Sequence, residues 1–312
     1  MQLKQLKLSG ITLPSNVLMA PLAAYTCYPF RMLCYSLGAG LCFTEMVGCN
    51  SLKYKDKATM KLLFTTTDEK IKAVQLLGSD SRTMENMAKS DFLLPFDIID
   101  INMGCPVPNI IKSGAGSALL MDKKNAANII KGVKRSGKIV TVKIRIGMTE
   151  KALIAAEFAK MCEDAGAEMI SIHGRTRNMM YEGVPYYDQI EQAKSAVSVP
   201  VIANGGIFSV ADANKMMNLT GADGVMIARY ALENPLIFSE LTNTITTKTK
   251  YNIIMEQLDI TEKYYDKHFT LKYVKKIASY FMKKKEGVKK YKLQLHLCED
   301  ITCLKQILAK IF

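Results

Sequence analysis

The chain has 312 residues, 49% hydrophobic and 23% charged, with 42 Lys+Arg against 29 Asp+Glu. That balance excludes a disordered polymer and suits one large folded domain, or a large one with a small one. No run approaches the roughly 18 consecutive apolar residues of a membrane helix and the first residues lack an apolar signal core. The eight cysteines show neither a CxxC pair nor metal-finger spacing, so a cytoplasmic protein with reduced thiols, no structural metal and no membrane partner is expected.

In chain order, a short hairpin, Leu6–Leu8 and Ile11–Leu13 around Ser9-Gly10, precedes an apolar strand at Val17–Ala20 that ends in Pro21, Leu22 and Ala23. Helical spacing at Phe30–Leu37 leads to a second strand, Leu41–Glu45, and then to a mixed segment of loop and short helix from Leu52 to Thr67. The third strand, Lys72–Leu76, carries Gln75, and the helix Ser81–Ala88 follows. The fourth, Phe96–Ile101, reads as a buried parallel strand and opens into Asn102-Met103-Gly104-Cys105-Pro106-Val107-Pro108. Gly104, Pro106 and Pro108 shape that loop sharply and place the Cys105 thiol just past a strand end, where barrel enzymes do their chemistry. A buried packing thiol is the bland alternative, and it describes most of the other cysteines.

The pattern repeats four more times. Helix Ala126–Arg135 leads to strand Ile139–Ile144, which contains Lys143 and is followed by Arg145. Helix Lys151–Asp164 leads to strand Met169–Ile172, ending in His173-Gly174-Arg175-Thr176-Arg177. Helix Tyr187–Ala196 leads to strand Val201–Ala203, ending in Asn204-Gly205-Gly206, and helix Val210–Leu219 to strand Gly224–Ile227, ending in Ala228-Arg229. Eight βα units over about 230 residues predict an α/β fold, a (β/α)8 TIM barrel. An open doubly wound sheet is the alternative, against which stands the lack of GxGxxG after the first strand. The GAGS sequence at 114–117 lies too far past its strand to serve as a dinucleotide fingerprint.

Polar side chains thus gather at the C-terminal ends of the strands. Lys143, inside the apolar VTVKIRIG, needs an anionic or acceptor partner to offset its burial. Gly205, Gly206 and Arg229 after the last two strands suit a phosphate. A phosphorylated cofactor whose ring then meets Gln75, Lys143 and His173 fits FMN, with amide and ammonium bonding the pyrimidine edge.

Beyond the barrel, SELTNTITTKTK (239–250) has no apolar period and reads as a domain boundary, separating a catalytic domain at 1–240 from a helical one at 250–312. Helical spacing recurs at Ile253–Tyr265, Leu271–Lys284 and Ile301–Ile311. Residues 246–312 hold 15 lysines against 7 acidic residues, a net of +8 out of +13 for the chain. A basic tail argues for a polyanion, nucleic acid first. On Leu271–Lys284, Val274, Ile277 and Phe281 share an apolar face, and Lys272, Lys275, Lys276 and Lys283 a basic one suited to phosphates. Tyr273 and Tyr280 either stack on RNA bases or pack internally.

The motifs APLAAYTCYPFR (20–31), VQLLGSD (74–80), DINMGCPVP (100–108), VKIRIG (142–147), SIHGRTR (171–177), PVIANGG (200–206) and GADGVMIARYALENPLIF (221–238) run in this order through the barrel. With them the chain resembles the tRNA-dihydrouridine synthases, nearest to the B-type bacterial branch. The resemblance implies an FMN barrel with a helical tRNA-binding domain, reducing uridine of the D-loop to 5,6-dihydrouridine with NADPH. Hydride would pass from FMN N5 to uracil C6 and a proton from Cys105 to C5. It implies FMN contacts from Pro21, Leu22, Ala23, Gln75, Lys143, His173, Asn204, Gly205, Gly206, Ala228 and Arg229. It implies uracil contacts from Asn102 and Arg145. Departures from the family pattern are Cys27, Gly206 and Ala228, where Asp, Asp and Gly are common, and Ile277 and Tyr280, where His and Trp are usual. A monomer is expected. Three competitors remain: a flavin barrel acting on a free pyrimidine or dihydroorotate, an ene-reductase for small enones, and an idle RNA-binding protein.

Overall fold

The computed structural model describes residues 2–283 and 285–312. The hairpin forms as β1 (Leu6–Leu8) and β2 (Ile11–Leu13), antiparallel. Eight strands then close a parallel barrel: β3 (Val17–Met19), β4 (Leu41–Gly48), β5 (Ala73–Leu77), β6 (Ile98–Met103), β7 (Ile139–Arg145), β8 (Met169–His173), β9 (Val201–Asn204) and β10 (Gly224–Ile227), with β10 pairing both β9 and β3. All eight predicted strands are present.

Period-two alternation sorts each strand's side chains into two cores. Outward residues such as Val74, Ile99, Ile101, Val142, Ile170 and Ile172 join a cluster with the surrounding helices, while inward Leu18, Phe43, Ile98, Ile139, Met169 and Ile202 form a floor. Leu6, Leu8 and Leu13 of the hairpin belong to that floor cluster and seal the barrel bottom.

The shell is built from α1 (Tyr28–Ser36), α2 (Cys49–Lys53), α3 (Lys57–Leu62), α4 (Ser81–Ala88), α5 (Pro108–Lys112), α6 (Lys123–Lys134), α7 (Ala155–Asp164), α8 (Tyr187–Ala196), α9 (Val210–Thr220), α10 (Tyr230–Glu233) and α11 (Ile237–Thr242). Helix α7 starts four residues later than its sequence pattern suggests. The cause is local: Leu153 bridges Gly147 and the Ile154 N–H bonds the Ile146 carbonyl, holding the chain extended there. The polar stretch 239–250 is also not all linker. Its first four residues complete α11, which stops where Asn243 turns left-handed at φ 55°.

Four helices follow: α12 (Lys250–Tyr264), α13 (Lys267–Phe281), α14 (Val288–Leu297) and α15 (Ile301–Ile311). Thr249 and Asn252 form a reciprocal capping box that starts α12, and the Asp266 carboxylate caps α13 by accepting from Phe269 N–H. Helix α14 is absent from the sequence reading because it buries only Leu295 fully and so carries no apolar stripe. The end of the predicted 271–284 helix, Lys284, lies outside the described residues.

The tail helices share the barrel shell's apolar cluster through Ile254, Leu258, Val274 and Ile277. Buried Gln257 adds a polar tie, donating to the Pro29 carbonyl at 3.1 Å and accepting from Tyr273 OH at 2.6 Å. Tyr273 is therefore a packing residue.

Candidate active site

Above the apolar floor the inward positions turn polar. Asp100 and Asn102 of β6 face the same way as Thr141, Lys143 and Arg145 of β7, Ser171 and His173 of β8, and Asn204 of β9, each two residues above the last. Register makes Gln75 the neighbour of Asp100, Asn102 of Lys143 and His173 of Asn204. A cavity of about 350 Å³ opens over them at the C-terminal mouth, large enough for a cofactor-sized ligand.

Every barrel residue anticipated from the sequence lines it. Pro21, Leu22 and Ala23 with Ala228 and Arg229 form one wall, Asn204, Gly205 and Gly206 a second, and Gln75, Lys143 and His173 the floor. Cys105, Asn102 and Arg145 form the opposite side. Arg175, from the predicted strand end after β8, lines it too; so do Met46, Tyr25, Tyr181, Phe208 and Tyr280, which strand-end reasoning does not deliver because most sit on loops or on the tail.

The cavity's charge is one-sided. Lys143, Arg145, Arg175 and Arg229 line it and no described carboxylate does. Burial pushes the Lys143 ammonium down to about 8, its only bonded acceptor among the described residues being Asn204 Oδ1 at 3.2 Å. Asn204 is itself oriented by donating Nδ2 to the Met226 carbonyl at 2.7 Å. Burial, then Lys143 and the three arginines, hold His173 well below its ordinary range, so it is neutral at pH 7. Arg175 Nη1 lies 3.4 Å from His173 Nε2. A guanidinium only donates, so Nε2 is the acceptor and the ring proton sits on Nδ1.

Gly205 and Gly206 have the conformational freedom a close ligand needs. Both have positive φ, 118° and 67°, and a Cβ on Gly205 would lie 2.8 Å from the His173 ring. No described acceptor takes their N–H groups. The Arg229 guanidinium lies 4.3 Å from the Tyr181 ring centroid and has no ion pair among the described residues.

The Cys105 loop is held from three directions. Gly104 and Cys105 N–H donate to Asn102 Oδ1 at 3.2 and 3.0 Å, and the Cys105 carbonyl accepts from Ser117 N–H at 3.1 Å. Gly116, at φ 61°, fits against the cysteine backbone, where its Cβ would lie 2.9 Å from the Cys105 carbonyl. The GAGS segment thus braces the thiol. Burial raises the Cys105 pKa; a Val107 N–H contact and the Arg145 and Lys143 charges lower it less.

Two expected substrate contacts have structural work as well. Arg145 Nε donates to the Gly104 carbonyl at 2.9 Å and Nη1 to those of Thr176 and Met180 at 2.8 and 2.9 Å, tying the Cys105 loop to the loop after β8. Asn102 Nδ2 donates to Gln75 Oε1 at 2.8 Å.

The lysine stripe of α13 is split. Lys272 is exposed, and Lys283 pairs with Glu233. Lys275 instead donates to the Cys298 carbonyl and Lys276 to that of Ala24, its ammonium 4.2 Å from the Tyr25 ring centroid. Tyr280 OH meets Tyr25 OH at 2.9 Å, so the tail closes one edge of the cavity. Helical periodicity puts the four lysines on one side but does not reveal the barrel loop that Lys276 reaches or the tail carbonyl that Lys275 meets.

A family model described as dihydrouridine synthase (Dus) matches residues 18–311. A Pseudomonas aeruginosa protein named tRNA-dihydrouridine synthase B is 32% identical over 304 residues, covering 94% of this chain and 92% of its own. A Rickettsia prowazekii protein named probable tRNA-dihydrouridine synthase is 37% identical over 265 residues, covering 84% and 81%. Among solved structures, morphinone reductase aligns with a TM-score of 0.55 at 12% identity, covering 80% of this chain and 91% of that one, a likeness of fold.

Proposed function

This chain belongs to the dihydrouridine synthase family, and from that premise we propose that it is an oxidoreductase reducing the C5=C6 bond of uridine in the tRNA D-loop, with FMN as cofactor and NADPH as reductant. The observation that carries this reading is a cavity holding four cationic side chains, no described carboxylate, a thiol and a glycine-lined wall. Such a lining suits an anionic, planar ligand. A phosphate would lie against the Gly205 and Gly206 N–H groups and Arg229. Gln75, Lys143 and His173 would hold the ring, and Pro21, Leu22, Ala23 and Ala228 would flank it.

When bound, FMN supplies a hydride route from NADPH to uracil C6. The chain's own residues do the rest. Uracil must leave its stack to enter the mouth. Asn102 and Arg145 border the place it would take, and both fix the loop that presents Cys105. Cys105 gives its thiol proton to C5 and regains one from solvent, so one hydride and one proton are added. Incubating the purified protein with NADPH and unmodified tRNA, and mapping dihydrouridine, tests the activity. Reduction of free uridine or a small enone in place of tRNA would instead favour the smaller-substrate barrels.

Two results are expected for the ligands. Arg229→Ala should weaken FMN binding about 10-fold or more, the loss of one charge-assisted contact. A parent protein that stays colourless with added FMN would defeat the cofactor assignment. For tRNA, the unit formed by residues 250–312 should act mainly through phosphates, with exposed Lys272 and the exposed Lys283 beside Glu233 offered to them. Lys272→Ala combined with Lys283→Ala should weaken binding and lower the slope of log affinity against log salt by somewhat under one unit per lost contact. An unchanged slope would assign tRNA binding to the barrel rim. Lys276 is expected to act on the Ala24 loop instead. Among the described residues no helix is long and apolar enough to cross a membrane; a monomeric cytoplasmic enzyme remains our proposal.

A further inference from the structure

Among the described residues Asp100 is the one carboxylate inside the barrel's polar layer, 1% exposed and one register step from the cavity floor. No cation bonds it. Thr141 Oγ1 donates to its Oδ1 at 2.6 Å and Gln75 Nε2 to its Oδ2 at 2.6 Å. The proposed chemistry gives it no role, yet a buried acid with such short bonds is costly unless it fixes something.

We propose that Asp100 is a positioning residue that sets the direction of a hydrogen-bond chain joining the ligand-facing amide of Gln75 to the loop bearing Cys105. An ionised carboxylate only accepts. It therefore draws the NH₂ of Gln75 toward itself and leaves Gln75 Oε1 for Asn102 Nδ2 at 2.8 Å. Asn102, committed to donating there, must turn its own oxygen to Gly104 and Cys105 N–H. Flipping Gln75 would set its oxygen against the carboxylate and its NH₂ against that of Asn102. Flipping Asn102 would set an NH₂ against two backbone donors. Every bond in the chain points toward Asp100, an arrangement in which each polarises the next.

Two consequences follow. Gln75 keeps one N–H and one oxygen lone pair free for the cavity, the complement of a ligand edge carrying a carbonyl beside an N–H. This step rests on the flavin reading above. The position of the Cys105 loop is also tied to the same amide, so what disturbs the ligand edge disturbs the acid.

Backbone hydrogen exchange on the full chain, free of cofactor and tRNA, tests the chain directly. Asp100→Asn keeps the shape but removes the charge and one acceptor. Exchange at Gly104 and Cys105 should quicken roughly 10-fold, the weight of about one charge-assisted bond, with the shell helices at parent values. Gln75→Met leaves Asp100 in place and cuts the link, and should loosen the same two amides. Unchanged exchange at Gly104 and Cys105 in both variants would overturn the proposal, as would an equal rise across the molecule, which marks lost stability alone. Because no cofactor is present, failure of the flavin assignment leaves this outcome standing. FMN binding with unaltered loop exchange would sink only the chain.

Discussion

Cys105→Ala is expected to bind FMN and to oxidise NADPH at the parent rate while losing about 10²–10⁴-fold in reduction of tRNA uridine, the usual worth of a positioned general acid. The loop should survive the change, since its three supports use the cysteine backbone or its neighbours: Asn102 takes the N–H, Ser117 gives to the carbonyl, and Arg145 holds Gly104. The direction of the thiol's shift suits that role. Nucleophilic cysteines sit where cations depress their pKa, but here burial outweighs Arg145 and Lys143 and raises it. At pH 7 the group carries its proton and can give it. Single-turnover reduction of tRNA by preloaded, NADPH-reduced protein separates the two half-reactions. Parent-like turnover on the same tRNA would falsify the acid role.

The barrel was legible because one physical signal, an apolar strand followed by a helical stretch, repeats eight times. Gln75, Lys143, His173 and Asn204 stand out against it as polar residues at or near the strand ends. Asp100 faces the same way as Asn102 and Lys143, one pleat below them, and strand alternation alone would have found it. In a run as apolar as FDIIDI, however, the eye stops at the strand end and misses the polar residue inside it. What alternation cannot supply is which distant loop meets which side chain. Tyr280 lies 255 residues from Tyr25 and reaches the cavity only because α13 docks on the shell. Lys275 and Lys276 read as phosphate-facing charges until their carbonyl partners are seen. Helix α14 has almost no buried side to announce it.

Lys143→Met should show catalysis and stability moving in opposite directions. The ammonium sits in the barrel floor with one neutral acceptor and is pushed by burial from its usual 10.5 down to about 8. Between those values the unfolded chain binds more protons than the folded one, so this group's contribution to stability rises as pH climbs from about 8 to 10.5. Below pH 8 its charge is a standing cost. Water in the open cavity screens part of it, leaving a cost on the order of 2 kcal/mol. Removing the charge at pH 7 should therefore hold or raise the melting temperature of the cofactor-free protein, even after Asn204 loses a donor. The advantage over the parent should shrink as pH approaches 10. Turnover should nonetheless fall about 10²–10³-fold, as when one preorganised donor to developing charge is deleted, because no other described lysine lines the cavity. A variant that melts lower at pH 7 than at pH 10 relative to the parent, or one that turns over normally, would show that Lys143 is kept for the fold. The expected pair of results instead marks a residue the barrel tolerates because the ligand requires it.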